Sequence, residues 1–309
     1  MKLVSFRCKG PSPGLGALCA GAVVDVGEWV RSLPLPAPVI ATLAAHGQEV
    51  PQGGMQRLLL AGDAGMRALA GHVEAVVAGR VQAPRLKLDD LELLAPVPRP
   101  GKIVAIGRNY AEHAKETGIA PPEQPRIIAK LPSSVSAPGV AVARPAAVTK
   151  LDFEAELAVV IGTYCRHVRR QEALAVVAGY TILDDVSARE FQFDVSPPQT
   201  TFAKSMHGFC PMGPWLVTRG ELFDPHALQI ECWRNGERMQ HGNTADLIFP
   251  VDVLIEYLSR YMTLEPGDVI ATGTPSGSGA FRTPPTWLER GDEIRIRIEG
   301  IGDLVHGIG

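Results

Sequence analysis

Acidic residues alternate along residues 151–157, which read Leu-Asp-Phe-Glu-Ala-Glu-Leu. Side chains two residues apart lie on the same face of a β-strand, so Asp152, Glu154 and Glu156 are expected to project together. Like charges side by side repel, and the segment continues into the apolar run 157–161. A divalent cation would relieve the repulsion, and all-oxygen ligands suit Mg²⁺, Mn²⁺ or Ca²⁺ better than Zn²⁺. An ordinary solvent-facing strand edge explains the same acids equally well.

A second acidic site and an isolated lysine follow. Asp184 and Asp185 stand at the end of an apolar strand, where a carboxylate can join a functional site, although capping of the next turn is the simpler explanation for at least one of them. Lys204 is the single lysine in the otherwise uncharged stretch 202–215. Near a metal it could hold an anionic substrate or an enolate, whereas a surface lysine is the usual case.

Two weaker features complete the set. Residues 272–279 read Thr-Gly-Thr-Pro-Ser-Gly-Ser-Gly after a predicted strand; their N–H groups and hydroxyls suit a carboxylate or phosphate, but the Gly-Lys-Ser/Thr ending of a P-loop is absent. His113 and Glu116 share one face of a predicted helix. A carboxylate fixes the imidazole tautomer, and the pair could deprotonate water. From the residues alone, an ordinary solvated helix face is favoured.

Glycine and proline are frequent in the chain that must position these groups. The 309 residues include 32 Gly and 26 Pro, nearly a fifth of the chain against roughly 12% on average. Both residues are least favourable inside helices, so a coiled coil, a plain helical bundle and a helical repeat array fit poorly. The hydrophobic fraction of 46% supports a globular core, and the length suggests one large domain or a large and a small one.

Charge and cysteine content exclude other classes. Thirty basic and 33 acidic residues give a net charge of −3 without a basic run, so nucleic-acid binding has no electrostatic support. No stretch of about 18 apolar residues predicts a membrane span, and the first residues do not resemble a signal peptide. The five cysteines form no C-x-x-C pair; we interpret them as reduced thiols of a cytoplasmic protein.

A proline-rich connector divides the chain. Prolines at 96, 98 and 100 predict a stiff boundary between a small N-terminal domain, residues 1–95, and a larger domain, residues 96–309. Periodicity and capping signals predict a strand at 23–26, helices at 37–46 and 64–78 (capped by Asp63), a strand at 102–107, a helix from Tyr110 to Thr117 (capped by Asn109), a buried strand at 157–161, an amphipathic helix at 251–262 and a half-exposed strand through Ile294, Ile296 and Ile298. The fold class is therefore α+β and mainly β, with a β-rich sandwich or roll as the large domain.

Several motifs stand in one order along the chain. They are Ile-Gly-Arg-Asn-Tyr at 106–110 with His113, the acidic segment 151–157, Asp-Val-Ser-Ala-Arg at 185–189, Lys204-Ser205, Gly-Pro-Trp at 213–215 and Thr-Gly-Thr-Pro at 272–275. Residues 96–309 thereby resemble the fumarylacetoacetate hydrolase family, and residues 1–95 resemble the variable N-terminal α+β domain that many members carry. The resemblance implies a mixed β-sandwich roll, a divalent metal, usually Mg²⁺ or Mn²⁺, and a homodimer.

The resemblance also implies roles for individual residues. The metal ligands would be Glu154, Glu156 and Asp185; the active-site lysine Lys204; the substrate-side residues Arg189, Gln192 and Thr274; and the water-activating pair, on a mobile lid helix in hydrolytic members, His113 and Glu116. This reverses the interpretation of that helix as an ordinary surface. Asp152 would have a supporting role.

The implied activity is hydrolysis of a carbon–carbon bond in a small 2-oxo acid, namely a 2,4-dioxo acid such as an acylpyruvate or a fumarylacetoacetate-like product of aromatic catabolism. Decarboxylation of a 2-oxo dioate of the oxaloacetate type, or isomerisation of the 2-hydroxyhepta-2,4-diene-1,7-dioate type, is the alternative on the same metal site. The intact acids and lysine argue against a non-catalytic scaffold. Asp184, Glu190 and His207 depart from the Asn, Asp and Asp of many members; these departures leave the three implied metal ligands unchanged, and the resemblance does not determine the substrate preference.

Overall fold

Strands make up most of the regular structure. The computed structural model describes residues 1–8, 10, 12–116, 118, 120–222 and 224–309. The strands of these residues are β1 (Lys2–Arg7), β2 (Gly14–Cys19), β3 (Ala22–Asp25), β4 (Arg85–Lys87), β5 (Glu92–Leu93), β6 (Ile103–Gly107), β7 (Arg126–Lys130), β8 (Val135–Ser136), β9 (Leu151–Asp152), β10 (Ala155–Ile161), β11 (Val177–Asp184), β12 (Ser187–Ala188), β13 (Cys210–Thr218), β14 (Gln229–Arg234), β15 (Glu237–Asn243), β16 (Val269–Ala271), β17 (Glu293–Ile298) and β18 (Gly302–Gly307).

The helices are shorter in total and are placed on the sheet faces and at the sheet ends. They are α1 (Gly27–Ser32), α2 (Ala37–Ala45), α3 (Gly54–Leu60), α4 (Gly62–Val77), α5 (Ala111–Glu116), α6 (Arg170–Ala173), α7 (Arg189–Phe193), α8 (Thr200–Ala203) and α9 (Val251–Tyr261). The α+β, mainly β class is confirmed. Within the described ranges, no helix has the length and apolar character needed to cross a membrane.

One large mixed sheet runs through both halves of the chain. Its strand order is β4-β3-β2-β1-β13-β11-β10-β16-β6-β7, with β5 added beside β1 and β8 beside β13. β1 pairs with β13 antiparallel, with Lys2 opposite Val217 and Leu3 opposite Leu216. The N-terminal segment thus completes the same sheet as the later strands. The boundary near residue 95 remains a prediction.

Both faces of strand β10 are covered by other elements. A second sheet, β15-β14-β17-β18, packs with α9 against one face, where Leu157 and Val159 of β10 lie in a large apolar core. The neighbouring residues Ala158 and Val160 face a second core that contains residues of β1, α3 and α4. This two-sided burial explains why β10 appears in the sequence as a continuous apolar run.

Most predicted elements are present, but two predicted helix caps are wrong. α4 begins at Gly62 and has no side-chain cap; Asp63 lies in its first turn and accepts hydrogen bonds from Arg219 Nη2 at 2.9 and 3.0 Å. Asn109 does not cap α5, because its Oδ1 accepts from the Phe249 N–H at 2.8 Å and its amide donates to the Thr272 carbonyl at 2.7 Å. The predicted end of α5, Thr117, lies outside the described residues.

Candidate active site and metal centre

Three carboxylates meet at the end of the central strands. Ligand oxygens of Glu154, Glu156 and Asp185 all lie within 4.8 Å of one another, and all three residues are buried. Glu156 belongs to β10, whereas Glu154 lies in the break between β9 and β10. Asp185 directly follows β11, and its N–H donates to the Glu154 carbonyl at 2.9 Å. Strand pairing therefore brings Asp185 next to residues about 30 positions earlier in the chain.

Asp152 does not join this cluster, so the prediction that all three alternating acids project together is wrong for it. The regular strand stops at Asp152 and resumes at Ala155. The Asp152 carboxylate instead accepts from the backbone N–H groups of Gly279 and Ala280 at 2.8 and 3.1 Å. It also accepts from Arg189 Nε at 2.9 Å. Asp152 therefore fixes the 279–280 loop and Arg189.

Among the described residues, Glu156 is the one carboxylate of the cluster without an ion-pair partner, whereas Glu154 and Asp185 pair with lysine or arginine. Burial opposes ionisation of Glu154, but the charges of Lys204 and Arg189 outweigh it and lower the pKa of this carboxyl. Burial and the negative charges of Asp185 and Glu154 raise the pKa of Glu156 well above its usual range. One Glu156 oxygen accepts the Gly273 N–H at 2.8 Å. Three buried hard oxygen donors, with no cation paired to Glu156 in the described ranges, fit a divalent cation such as Mg²⁺ or Mn²⁺.

Among the described residues, two lysines contact the cluster, and only Lys204 was predicted from the sequence. Lys204 is buried, not a surface lysine; its Nζ donates to Glu154 and Asp185, each at 2.6 Å, and to Ser187 Oγ at 2.9 Å. Lys130, in β7, was not predicted. Its Nζ donates to the other Asp185 oxygen at 2.8 Å and to the Lys204 carbonyl. Asp185 is therefore held between two ammonium groups.

Arg189 connects the acids to the cavity. Its Nη2 donates to Glu154 Oε1 at 2.7 Å and its Nη1 to Gln192 Oε1 at 2.9 Å. Burial alone would lower the pKa of Arg189, but the charges of Glu154 and Asp152 raise it. One turn of α7 carries both Arg189 and Gln192, so this helix sets the position of the two predicted substrate-side residues together.

The predicted histidine–glutamate pair is formed. His113 Nδ1 lies 2.7 Å from Glu116 Oε1, and His113 is only 5% exposed. Glu116 also accepts the Gly277 N–H at 3.1 and 3.2 Å, and the Phe281 ring meets His113 edge to face, with centroids 5.4 Å apart. The favoured sequence-only interpretation, a solvated helix face, is wrong for His113. Nδ1 is occupied by Glu116, so Nε2 is the nitrogen left for proton transfer.

Thr274 lies in the loop after β16. Its Oγ1 accepts from Gln240 Nε2 at 2.8 Å, and Gln240 Oε1 in turn accepts the Ala155 N–H at 3.0 Å. Gln240 was not predicted; no pattern around it in the sequence marks it. It connects β15 of the second sheet to the start of β10 and to the loop, and so fixes Thr274 relative to the carboxylates.

One cavity of about 390 Å³ joins these groups. Of the nine predicted site residues, all except Glu116 line it, and Glu116 lies behind His113. The other lining residues are Ala105, Ile106, Gly107, Arg108, Arg126, Ile128, Phe193, Thr200, Ala280 and Phe281. The cavity thus has an acidic floor, a His–Glu wall and an apolar and arginine-bearing remainder.

The three departures have different surroundings. Asp184 is fully buried. Its Oδ1 accepts a hydrogen bond from the Glu154 N–H at 2.8 Å, and its Oδ2 lies 2.8 Å from His306 Nε2. Glu190 accepts the Thr149 N–H at 2.6 Å. His207 is exposed. Asp184 therefore supports the backbone of a carboxylate-cluster residue, whereas none of the three lines the cavity.

Comparison with known proteins agrees with this architecture. Residues 102–308 match the family model described as fumarylacetoacetate (FAA) hydrolase C-terminal. The chain is 38% identical over 315 residues to the mitochondrial oxaloacetate tautomerase FAHD2A of Homo sapiens, which covers 100% of this chain and 91% of that protein. These relatives are enzymes.

Two solved structures are similar over the whole chain. A putative HpcE protein from Mycobacterium smegmatis superposes with a TM-score of 0.79 at 35% identity, covering 100% of this chain and 99% of that one. Maleylpyruvate hydrolase from Sphingobium sp. SYK-6, in complex with manganese(II) ion and pyruvate, gives a TM-score of 0.77 at 31% identity, covering 100% and 98%.

Proposed function

The chain belongs to the fumarylacetoacetate hydrolase family, and from that premise we propose that it is a divalent-metal-dependent hydrolase that cleaves a carbon–carbon bond of a 2,4-dioxo acid. The observation that carries the proposal is the His113–Glu116 contact of 2.7 Å in the wall of the cavity whose floor is the carboxylate cluster. A histidine oriented by a carboxylate beside a metal site is suited to activating water.

Glu154, Glu156 and Asp185 would hold the cation, Mg²⁺ or Mn²⁺. When bound, the cation would polarise the 2-oxo group and stabilise negative charge that develops on it. The donor set supports this assignment, and the similar maleylpyruvate hydrolase structure is described with manganese(II). Arg189, Gln192 and Thr274 would bind the carboxylate of the 2-oxo acid. Gln192 accepts from Arg189, which leaves its amide N–H group without a protein partner in the described ranges.

His113 would take one proton of a water molecule on Nε2, while Glu116 stabilises the resulting imidazolium through Nδ1–H. The hydroxide adds to the distal carbonyl carbon. The carbon–carbon bond then breaks, and its electron pair forms the enolate of the 2-oxo acid product, which a proton converts to the keto acid. Lys204 would stabilise this enolate electrostatically. In the structure its ammonium group is bonded to Glu154, Asp185 and Ser187, so it must turn from at least one of them.

A second reaction on the same site has its own support. The human relative is named an oxaloacetate tautomerase, and tautomerisation, isomerisation or decarboxylation of a 2-oxo dioate needs an enolate-stabilising site but no attacking water. In these reactions His113 would carry a proton between substrate atoms. The two classes therefore differ in whether water becomes part of the product.

The deciding experiment is product analysis with Mg²⁺ or Mn²⁺ on acylpyruvates, fumarylacetoacetate, maleylpyruvate, oxaloacetate and 2-hydroxyhepta-2,4-diene-1,7-dioate. We expect two carboxylic acid products from a 2,4-dioxo acid, with ¹⁸O from solvent water in the acid that leaves. His113→Ala is expected to lower this hydrolysis at least a hundredfold. If the protein turns over only oxaloacetate, and no ¹⁸O enters the product, hydrolysis is excluded and the second reaction class is supported.

We further propose a homodimer that forms over the outer face of β7. This strand ends the large sheet, so its outer edge has no partner strand in the described part of the chain. Ile127 and Leu131 alternate with the cavity-facing residues of β7 and are 40% and 48% exposed. An unpaired strand edge with exposed apolar side chains is stabilised when another surface covers it. The family resemblance implies that this surface belongs to a second copy of the chain.

A cytoplasmic location is also proposed, because the five cysteines are all unpaired and free thiols are typical of reducing compartments. The mitochondrial matrix also keeps thiols reduced, and the human relative is named mitochondrial. Cell fractionation followed by immunoblotting distinguishes the two.

A further inference from the structure

Two arginines in the cavity wall form no ion pair with an acidic residue in the part of the chain that the structure describes. Arg108 directly follows β6 and Arg126 begins β7, and both line the cavity. In the described ranges neither guanidinium group forms an ion pair or hydrogen bond, and Arg108 Nε is buried without a partner. The third cavity arginine, Arg189, is bonded to two carboxylates. Arg108 and Arg126 thus bring positive charge to the cavity without a directly bonded carboxylate among the described residues.

The pairing of β6 with β7 brings the two arginines close together in the chain fold, and both line the cavity. Gly107 lies opposite Arg126 in the pairing of β6 with β7. A Cβ at position 107 would lie 3.2 Å from Arg126 Cδ, so glycine leaves room for the Arg126 side chain to cross β6. Arg108 has a φ of 56°, a left-handed conformation that is unfavourable for a residue with a Cβ. Strain of this kind is typical of functional sites.

The two charges influence each other. Burial and the nearby charge of Arg108 lower the pKa of Arg126, while Glu154 raises it. Two like charges held close in a partly buried wall are stabilised by an anion placed between them. Guanidinium groups bind carboxylates through paired, charge-assisted hydrogen bonds.

We propose that Arg108 and Arg126 bind the distal carboxylate of a dicarboxylic 2-oxo acid whose 2-oxo acid end lies at the carboxylate cluster. The inference rests on the proposed function and narrows it: the substrate is a dioate and not an acylpyruvate with an apolar tail. An apolar tail would leave both guanidinium groups without a counter-charge and the buried Arg108 Nε without an acceptor, which is unfavourable. A distal carboxylate removes that penalty.

Binding of two matched ligands to the Mg²⁺-loaded protein tests the inference without turnover. 2-Oxoglutarate and 2-oxopentanoate have the same 2-oxo acid end and the same five-carbon chain, and differ only in the distal carboxylate. Isothermal titration calorimetry is expected to show at least tenfold tighter binding of 2-oxoglutarate. Equal affinities, or no binding of either ligand, would overturn the proposal.

The variants Arg126→Met and Arg108→Met test whether these two arginines cause the preference for 2-oxoglutarate over 2-oxopentanoate. Each is expected to weaken 2-oxoglutarate binding about tenfold to a hundredfold and to change 2-oxopentanoate binding less than threefold. Arg67→Met, on the exposed surface of α4, is the control and should change neither. A preference for 2-oxoglutarate that survives in both cavity variants contradicts the assignment.

Failure of this inference differs from failure of the proposed function. If the protein hydrolyses acylpyruvates but binds both ligands equally, the proposed function is supported and the proposed arginine site is excluded. If the protein hydrolyses no 2,4-dioxo acid but prefers 2-oxoglutarate, and Arg126→Met abolishes that preference, the arginine site is supported and the proposed hydrolysis is excluded.

Discussion

At the residue scale, Lys130 organises the site without lining the cavity. It bonds the Asp185 oxygen that Lys204 does not use, and it also bonds the Lys204 carbonyl. One buried ammonium group thereby fixes a predicted metal ligand and the backbone of the predicted active-site lysine. Groups that orient metal ligands in this way affect metal affinity nearly as strongly as the ligands do.

Lys130→Met is therefore expected to weaken Mn²⁺ binding about tenfold to a hundredfold, because Asp185 loses the group that orients its carboxylate. Calorimetric titration with Mn²⁺ measures the change. Lys87→Met, at an exposed position of β4, is the matched control. Lys130→Arg should restore part of the affinity; unchanged affinity in Lys130→Met would show that Asp185 is positioned without it.

Glu154 and Glu156 are expected to respond in opposite ways to neutralisation in the metal-free protein. Glu154→Gln removes ion pairs with Lys204 and Arg189 and should lower the free energy of unfolding by about 3 kcal/mol. Glu156→Gln removes a buried charge that Asp185 and Glu154 repel, and should raise the free energy of unfolding. Urea unfolding with a chelator present measures both, and a stabilising Glu154→Gln would contradict the charge assignment.

The difference in the free energy of unfolding between the wild type and Glu156→Gln should depend on pH with a defined sign. The folded-state pKa of Glu156 is raised, so the unfolded chain releases this proton at lower pH, near the usual value of about 4.3. Wild-type stability therefore falls relative to Glu156→Gln as pH rises from that value through the raised folded-state pKa, and the difference is constant above it. Unfolding titrations of both proteins from pH 4 upward, without metal, test this; a difference that shrinks with rising pH would rule it out.

The sequence predicted the site residues better than their contacts. Motif order identified eight cavity-lining residues and Glu116. Lys130 was missed although residues 126, 128 and 130 share one face of β7, with two cations beside an isoleucine; this alternation was the available signal. His306 was missed because its partner, Asp184, is 122 residues away, and no local pattern encodes such a contact.

At the element scale, α5 is held by contacts outside itself. It has six residues, too few for a helix to be stable alone in water. Glu116 is bonded to the Gly277 N–H, and His113 packs on Phe281. The 277–281 loop therefore determines whether the His–Glu pair faces the cavity.

Phe281→Ala is expected to loosen α5 while the carboxylate cluster stays intact. An aromatic contact of this type contributes about 0.5–1.5 kcal/mol, so amide hydrogen exchange in residues 111–116 should increase up to about tenfold. Mass spectrometry of exchange measures this, and Mn²⁺ affinity, expected to be unchanged, is the internal control. If exchange is unchanged, Phe281 does not hold the helix.

Element prediction succeeded where burial alternates and failed where tertiary partners decide. The isoleucines of β17 are buried while Arg295 and Arg297 face outward, as their spacing predicted. Asp63 and Asn109 had the residue types of helix caps, yet Arg219 and Phe249 compete for their oxygens. Both competitors are more than 130 residues away, which a local capping rule does not take into account.

At the scale of the whole molecule, the exposed apolar face of β7 gives the proposed dimer a direct test. Leu131→Glu should convert a dimer to a monomer in size-exclusion chromatography with light scattering, because it buries a charge at the interface. Val77→Glu, an equally exposed apolar site at the end of α4, should leave the mass unchanged. A monomeric wild type would exclude the interface, and a dimeric Leu131→Glu variant would move it elsewhere.

The pairing of β1 with β13 also imposes an order on biosynthesis. Residues 2 and 3 align with residues 217 and 216, so the first strand emerges from the ribosome long before its neighbour exists. At roughly 5–20 residues per second, Leu3 and Val4, both fully buried in the final structure, wait about 10 to 40 seconds. The nascent chain must keep this apolar strand from aggregating, and the sheet closes only late in translation.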